Sequence, residues 1–84
     1  MPVSGPPEAG ATLTPKEAEV LAHVAAGRTD DEIAAALSIS RSTVDTHMRH
    51  IFLKLEVNNR VTAVVKGIML GLIDPKAVPP ATPR

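Results

Sequence analysis

Residues 29–55 read TDDEIAAALSISRSTVDTHMRHIFLKL, and this stretch decides the fold. Thr29 and Glu32 stand three residues apart and form a capping box, which predicts a short helix that ends near Leu37. The segment SIS at 38–40 interrupts this helix, and its last serine can cap a second, longer one. Two helices separated by about three residues have the proportions of a helix-turn-helix.

The longer helix carries a single apolar stripe. Its members fall four, three and four residues apart, which keeps them on one side of a helix: Val44, Met48, Ile51 and Leu55. The opposite side holds short polar groups and one long cation: Ser42, Asp45, Thr46, Arg49 and His50. Such side chains suit hydrogen bonds to base edges or phosphates in a DNA major groove, although any solvated amphipathic helix has a similar pattern.

Two further helices flank this pair. Thr14 and Glu17 form another capping box, with a proline in the first turn, and predict a helix that runs to about Ala26. Asn59 can cap a last helix that runs to about Gly71. Because no alternating strand of convincing length is present, the sequence predicts an all-α fold of four short helices.

The prolines mark where the folded part ends. Seven of the eight lie within the first seven or the last ten residues. We therefore expect one domain at 13–74, with flexible tails at 1–12 and 75–84. A domain of this size buries only about 60% of its unfolded surface, so a partner or a parent protein is expected to support it.

Composition excludes several classes of protein. The chain has no cysteine, which rules out disulfides and thiolate metal sites. The longest apolar stretch, 61–73, contains Lys66 and is shorter than the roughly 20 residues of a membrane span, so no membrane partner is expected. Without a signal-like N-terminus, a cytoplasmic location is expected. The one aromatic residue, Phe52, argues against a base-stacking surface for single strands.

The net charge is zero, but the charge is unevenly distributed. Residues 14–37 carry two cations against five carboxylates, a net charge of −3. Residues 38–60 carry four cations against two carboxylates, a net charge of +2, with His47 and His50 beside them. An anionic partner is expected to meet this second half, although ordinary surface charge would give the same numbers.

The histidines do not predict a metal site. His47 and His50 are three residues apart on a helix, but only Asp45 lies near them as a further ligand type. His23 is expected to lie on the surface. No grouping of nucleophile, base and acid, and no glycine-rich phosphate loop, is present, and so short a chain can hardly enclose a substrate. Neither an enzyme nor a cofactor is expected.

Taken together, the motifs resemble the LuxR-type DNA-binding domain, also named the NarL/FixJ or GerE type. In order, they are LT with E at 13–17, EVL at 19–21, EIA at 32–34, LSIS at 37–40, TV with H at 43–47, KL at 54–55, NR at 59–60 and GLI at 71–73. The resemblance covers about residues 13–74. It implies sequence-specific binding of double-stranded DNA by the output domain of a bacterial transcription regulator, with RNA polymerase as a further partner.

The resemblance also implies roles for individual residues. Asp45, Thr46 and Arg49 are expected to contact the DNA bases. The residues expected to contact the DNA backbone are Thr29, Ser42, Thr43, His47 and Lys54. Asp45 departs from the family, which commonly has Lys or Arg there. It lies four residues from Arg41 and from Arg49, so we favour an intrahelical ion-pair bridge. Acceptance of a hydrogen bond from a cytosine amino group is the alternative.

Two other departures concern the ends of helices. Glu56 stands where a glycine is usual after KL, so the turn after the longer helix is expected to be less tight. Asp30 and Asp31 replace a more neutral or basic start of the preceding helix. Together with Asp45, these residues predict weak DNA binding by an isolated monomer.

The last helix is apolar on two sides. The stripe of mostly small residues comprises Ala63, Val64, Gly67, Ile68 and Gly71, and the other comprises Val61, Val65, Met69 and Leu72. The resemblance assigns the first stripe to the core and leaves Val61, Val65 and Met69 for a homodimer, weak without DNA or a parent domain. Packing of that second stripe against the tails or a parent domain is the alternative.

Two other functions compete with this interpretation. The last region of a sigma factor shares the LT, EIA and SRSTV-like elements, but it ends with its recognition helix, whereas an apolar helix follows here. A stand-alone interaction module could instead pair through the last helix with a full-length regulator and inhibit it. The zero net charge and Asp45 keep this second alternative open.

Overall fold

A computed structural model describes residues 13–74 of the 84-residue chain, and that part forms four α-helices without a strand. They are Pro15–Ala25 (α1), Asp30–Leu37 (α2), Arg41–Leu55 (α3) and Arg60–Met69 (α4). The predicted all-α fold with a helix-turn-helix is therefore confirmed. The predicted flexible tails, 1–12 and 75–84, lie outside the described residues.

All four helices begin at the residues that the sequence predicts. The capping side chains belong to Thr14, Thr29, Ser40 and Asn59. At α1, the Thr14 hydroxyl accepts the Glu17 N–H at 3.1 Å, and the Glu17 carboxylate accepts the Thr14 N–H at 2.9 Å. Thr29 and Glu32 make the same reciprocal pair, at 3.1 and 2.8 Å. Each such cap stabilises its helix by about 1 kcal/mol, which matters in a small domain.

The core is built around α3, which contacts the other three helices. Its predicted stripe is fully inside: Val44, Met48, Ile51 and Leu55 are buried. They meet Val20 and Leu21 of α1, Ile33 of α2 and Ala63 of α4. Burying one large aliphatic side chain contributes about 1.5–3 kcal/mol, so this short set of residues makes a large favourable contribution to folding.

The small residues of α4 allow it to approach α1 closely. A Cβ atom at Gly67 would lie 2.9 Å from the Leu21 Cδ2 atom, closer than side chains tolerate. Ala63 and Gly67 are buried, as the sequence predicts. Three assignments were wrong: Ile68 and Gly71 are exposed rather than in the core, and Leu72 packs partly against the core rather than outside. Since α4 ends at Met69, Gly71 and Leu72 leave the helical register on which their assignments depended. Ile68 keeps that register, but it lies about 140° around the helix from buried Ala63, beyond the packed side.

The turn between α3 and α4 is closed despite Glu56. This residue adopts the left-handed conformation, with φ of 59°, and the Val57 N–H donates to the Phe52 carbonyl at 3.0 Å. The Lys66 ammonium donates to the Leu55 carbonyl at 2.8 Å and ties the two helices together. The glutamate is thus accommodated by backbone strain and not by a looser turn.

His23 corrects one prediction. It was expected on the surface, but only 8% of it is exposed, and its Nδ1 atom has no hydrogen-bond partner within residues 13–74. The reason is that α1 is packed by α2, α3 and α4, so a larger part of its circumference is buried than on a helix with one packed side. No helix of this part of the chain is long and apolar enough to cross a bilayer.

Candidate nucleic-acid interface

The outer face of α3 assembles the predicted polar residues on one exposed surface. Ser42, Asp45, Thr46, Arg49 and His50 are all exposed, on the side opposite the buried stripe. Thr43, His47 and Lys54 are partly buried at the edges of this face. The spacing of the sequence therefore predicted correctly which side chains share a surface. Leu53, which the sequence analysis did not assign, lies on the same surface.

Arg49 and Asp45 form an ion pair on this face. The Arg49 Nη2 atom lies 2.8 Å from the Asp45 Oδ2 atom, and both side chains are largely exposed. Arg41 does not complete the predicted bridge, because its Nε atom lies 3.3 Å from Asp31 of α2. Exposed pairs of this kind contribute only about 0.3–0.5 kcal/mol, so a DNA phosphate or base can replace the carboxylate at little cost.

The hydroxyl groups at the start of α3 bond to one another and to the backbone. The Ser40 hydroxyl lies 3.1 Å from that of Ser42 and 2.9 Å from that of Thr43. The Thr46 hydroxyl donates to the Ser42 carbonyl at 3.0 Å. Its proton is therefore engaged in the free protein, while the oxygen of Thr46 can still accept from a base amino group.

The first turn of α2 connects three helices by charge. Thr29 is its cap, and Asp30 pairs with Arg60 of α4 at 3.1 Å. Asp31 pairs with Arg41 at the start of α3. The acidic residues that the sequence analysis treated as a departure from the family thus neutralise two arginines and link α2 to both following helices.

Lys54 has a partner inside the domain. Its ammonium lies 2.6 Å from the Glu17 carboxylate, whose side chain is only 5% exposed. Burial raises the pKa of Glu17, but the hydrogen bonds from Lys54 and Thr14 outweigh it, so the pKa lies below the ordinary value of 4.5. His50 Nδ1 lies 3.7 Å from the second oxygen of the same carboxylate. Glu17 therefore joins the cap of α1 to the last turns of α3.

His47 lies at the edge of the face, and its Nδ1 atom is buried without a hydrogen-bond partner in the described part of the chain. Within residues 13–74, no three or more His, Cys, Asp or Glu side chains are grouped so that they could hold a metal ion. The long cations of α3, which are Arg41, Arg49 and Lys54, each face a carboxylate. The positive half of the sequence is thus largely neutralised within the folded domain.

A second exposed surface lies on α4. Val61 and Met69 are 71% and 78% exposed, and Val65 lies between them. Beside it, a groove of about 270 Å³ is lined mainly by aliphatic side chains of α1 and α4: Val24, Ala25, Arg60, Val61, Val64 and Val65. Ile68 and Leu70 extend the exposed apolar area, which the sequence analysis had confined to three residues. We name Val61, Val65, Ile68, Met69 and Leu70 the α4 patch.

The comparisons with known proteins agree with this geometry. Residues 11–66 match the family described as bacterial regulatory proteins, luxR family, and the chain belongs to this family. It is 48% identical over 67 residues to the transcriptional activator protein SolR of Ralstonia nicotianae, covering 80% of this chain and 28% of SolR. It is 47% identical over 62 residues to the quorum sensing-dependent transcriptional regulator VjbR of Brucella abortus, covering 74% of this chain and 24% of VjbR.

A solved structure is also similar. The response regulator ChrA of a heme-sensing two-component system matches with a TM-score of 0.73 and 39% identity, covering 84% of this chain and 34% of ChrA. The chain thus spans only 24 to 28% of the length of the two curated relatives. Membership of the family makes it a DNA-binding domain of transcription regulation. This family is not a class of enzymes.

Proposed function

We propose that this domain binds a specific duplex sequence by inserting α3 into the major groove, as the output domain of a transcription regulator. One observation carries the proposal: the second helix of the helix-turn-helix exposes Asp45, Thr46 and Arg49 together, opposite its buried stripe. A major groove about 12 Å wide admits one such helix, and these side chains can bond to base edges there.

Arg49 is the principal reader in this proposal. Its guanidinium can donate two hydrogen bonds to the O6 and N7 atoms of guanine. The 2.8 Å ion pair with Asp45 supports a positioning role for Asp45, which would hold the guanidinium at one orientation before DNA arrives. The alternative, in which Asp45 accepts from a cytosine amino group, predicts that Asp45→Ala relaxes the preference for one cytosine. Thr46 is assigned to the same reading group.

Contacts to the DNA backbone are assigned to residues around the reading group: Thr29, Ser42, Thr43, His47 and Lys54. Lys54 can meet a phosphate only by turning away from Glu17, which lies 2.6 Å away. Arg49 and Arg41 likewise exchange a carboxylate for DNA. We therefore infer weak binding by a single domain, chiefly because Lys54 must give up Glu17, whose side chain is only 5% exposed, whereas the exposed arginine pairs are replaced at little cost.

We further propose that two copies pair through the α4 patch. Val61, Val65 and Met69 lie on one side of α4, next to the groove. This strip buries far less than the roughly 1,200 Å² of a stable standard interface, so the domain is expected to be monomeric at micromolar concentration. Pairing on DNA would place two recognition helices about one helical turn, roughly 10 base pairs, apart.

The relatives support the output role. SolR, VjbR and ChrA differ in the words that describe their control, namely activator, quorum sensing and two-component system. They share this domain while it covers only about a third or less of each. We infer that the domain supplies DNA binding and that a further part of a whole regulator supplies the control. The description of SolR as an activator supports RNA polymerase as a further partner.

Selection of bound duplexes from a random pool, followed by titration at several salt concentrations, tests the proposal. We expect one enriched motif, and an affinity whose logarithm falls with the logarithm of salt by about 0.9 per phosphate contact. A scrambled duplex of the same composition is the control. An inhibitory interaction module predicts no enriched motif and assembly with a full-length regulator of the same family, and that pair of results would contradict the proposal.

A further inference from the structure

Leu53 is an exposed leucine that the fold does not use. It is 76% exposed and belongs neither to the buried core nor to the partly buried side chains packed on it. Within residues 13–74, the other large exposed hydrophobic residues belong to the α4 patch. Leu53 is therefore set apart from the apolar surface for which a partner has been proposed.

The direction of Leu53 is set by its place on α3. Successive residues of a helix are about 100° apart, so Leu53 lies nearly opposite the buried stripe and in line with Ser42 and Thr46. The last turn of α3 is held on its other sides by buried Leu55 and by the ion pair of Lys54 with Glu17. Leu53 thus lies on the midline of the outer face, near the C-terminal end of α3.

We propose that Leu53 is a specificity-determining residue, which packs against the C5-methyl group of a thymine at the flank of the sequence read by Thr46 and Arg49. The inference rests on the proposed function and names a further part of the same interface. Leu53 follows Thr46 by seven residues, about 10 Å along the helix axis, which corresponds to about three base-pair steps. The thymine methyl is the apolar group that the major groove offers to such a side chain.

The surroundings of Leu53 favour DNA over a protein partner. Docking surfaces for proteins are contiguous apolar patches of several hundred square ångströms. The residues nearest to Leu53 on the outer face, Arg49 and His50, are polar and exposed. One apolar side chain among hydrogen-bonding groups matches a major groove, in which a methyl group lies among donors and acceptors.

The test uses the duplex selected with the wild-type domain. Each thymine is replaced singly by deoxyuridine, which removes only the methyl group. At one flanking position the wild type should lose about fourfold in affinity, the value for one buried methyl group. Leu53→Ala should bind the thymine and deoxyuridine duplexes equally. Thr62→Ala is the matched control, because Thr62 is exposed on α4, is assigned to neither proposed surface and should leave the deoxyuridine effect unchanged.

The outcomes separate this inference from the proposed function. If Arg49→Ala loses sequence discrimination while Leu53→Ala shows the wild-type response at every deoxyuridine position, the assignment of Leu53 is wrong and the proposed function stands. If the wild type enriches no motif, the proposed function itself fails. If Leu53→Ala keeps every deoxyuridine response but weakens binding of RNA polymerase, Leu53 contacts protein and the inference is overturned. Circular dichroism should show an unchanged fold in both alanine variants.

Discussion

The outward faces of α3 and α4 have opposite chemistry, because the two helices bury residues of opposite size. α3 buries large aliphatic side chains and exposes charges and hydroxyl groups. α4 buries Ala63 and Gly67 and exposes Val61, Val65 and Met69. The close approach of α4 to Leu21 requires small residues there, so its large apolar residues are left outside. One small core thus carries a polar surface suited to DNA and an apolar surface suited to a second protein.

Arg49→Ala should have the largest effect on the polar face alone. Arg49 is the long cation at the centre of the reading group, and a good base contact is worth about 1–3 kcal/mol. We expect discrimination between the selected and the scrambled duplex to fall by about 5- to 150-fold, with unchanged thermal unfolding. Fluorescence anisotropy titrations measure the first quantity and circular dichroism the second. Retained discrimination in this variant would contradict the assignment of α3 as the reading helix.

Val65→Glu should affect the apolar face alone. It places a charge in the α4 patch, where the side chain is 49% exposed in the monomer, so the fold should tolerate it. Cooperative occupancy of two half-sites should weaken by about tenfold, toward the lower end of typical coupling energies. Affinity for a single half-site should stay the same.

Ala63→Glu provides the contrast on the same helix. Ala63 is fully buried, so a carboxylate there should unfold the domain. If Val65→Glu unfolds it as well, the two faces of α4 are not separate, and the comparison with α3 fails. Sedimentation velocity with and without the two-site duplex distinguishes loss of pairing from loss of fold.

Local patterns were sufficient to predict most of this architecture. The caps at Thr14 and Thr29 and the buried stripe of α3 depend on residues within four positions of one another, where spacing alone determines contact. The ion pairs Lys54 with Glu17 and Arg60 with Asp30 join residues 37 and 30 positions apart, so no local pattern predicted them. They depend on how the helices pack.

His23 and Leu53 were misjudged for different reasons. His23 was assigned to the surface because the sequence does not show that α1 is enclosed by three helices. Leu53 could have been found, since its position four residues after Arg49 places it on the outer face. It was missed because only polar residues were considered there. An apolar residue on a polar face is as informative as the reverse.

Acid should lower the folding stability of the whole domain, because it protonates a side chain in the core that supports both faces. Burial lowers the pKa of His23 below its ordinary value of 6.5; Arg28 lowers it further, and Glu19 opposes both effects. The unfolded chain then binds more protons than the folded domain just below pH 6.5, so stability falls as the pH decreases through that range. His23→Leu should remove this loss, as measured by urea unfolding at several pH values.

Glu17 should cause a second loss of stability, at lower pH than that caused by His23. Its pKa is lowered in the folded domain, so its contribution is complete above pH 4.5 and is lost as the pH falls through the folded value. Glu17→Gln keeps the capping geometry and removes the charge. The free energy of unfolding of this variant should therefore depend less on pH in the lower range only. If Glu17→Gln removes the loss of stability just below pH 6.5 as well, His23 is not the cause of that loss.

Glu56→Gly should have the smallest effect, a change in folding stability without a change in DNA binding or pairing. Glu56 adopts φ of 59° in the joint between α3 and α4, a conformation that costs an L-residue about 1 kcal/mol and glycine almost nothing. Glycine also loses more backbone entropy on folding, so the expected net gain is about 0.5 kcal/mol, or roughly 2–4 °C in Tm.

Glu56→Gln is the control, because it removes the charge at the end of α3 and keeps the strain. If both variants gain equally, the charge and not the backbone limits stability. If Glu56→Gly changes the selected motif or the half-site cooperativity, the joint sets the relation of the two faces, and they cannot be treated as independent.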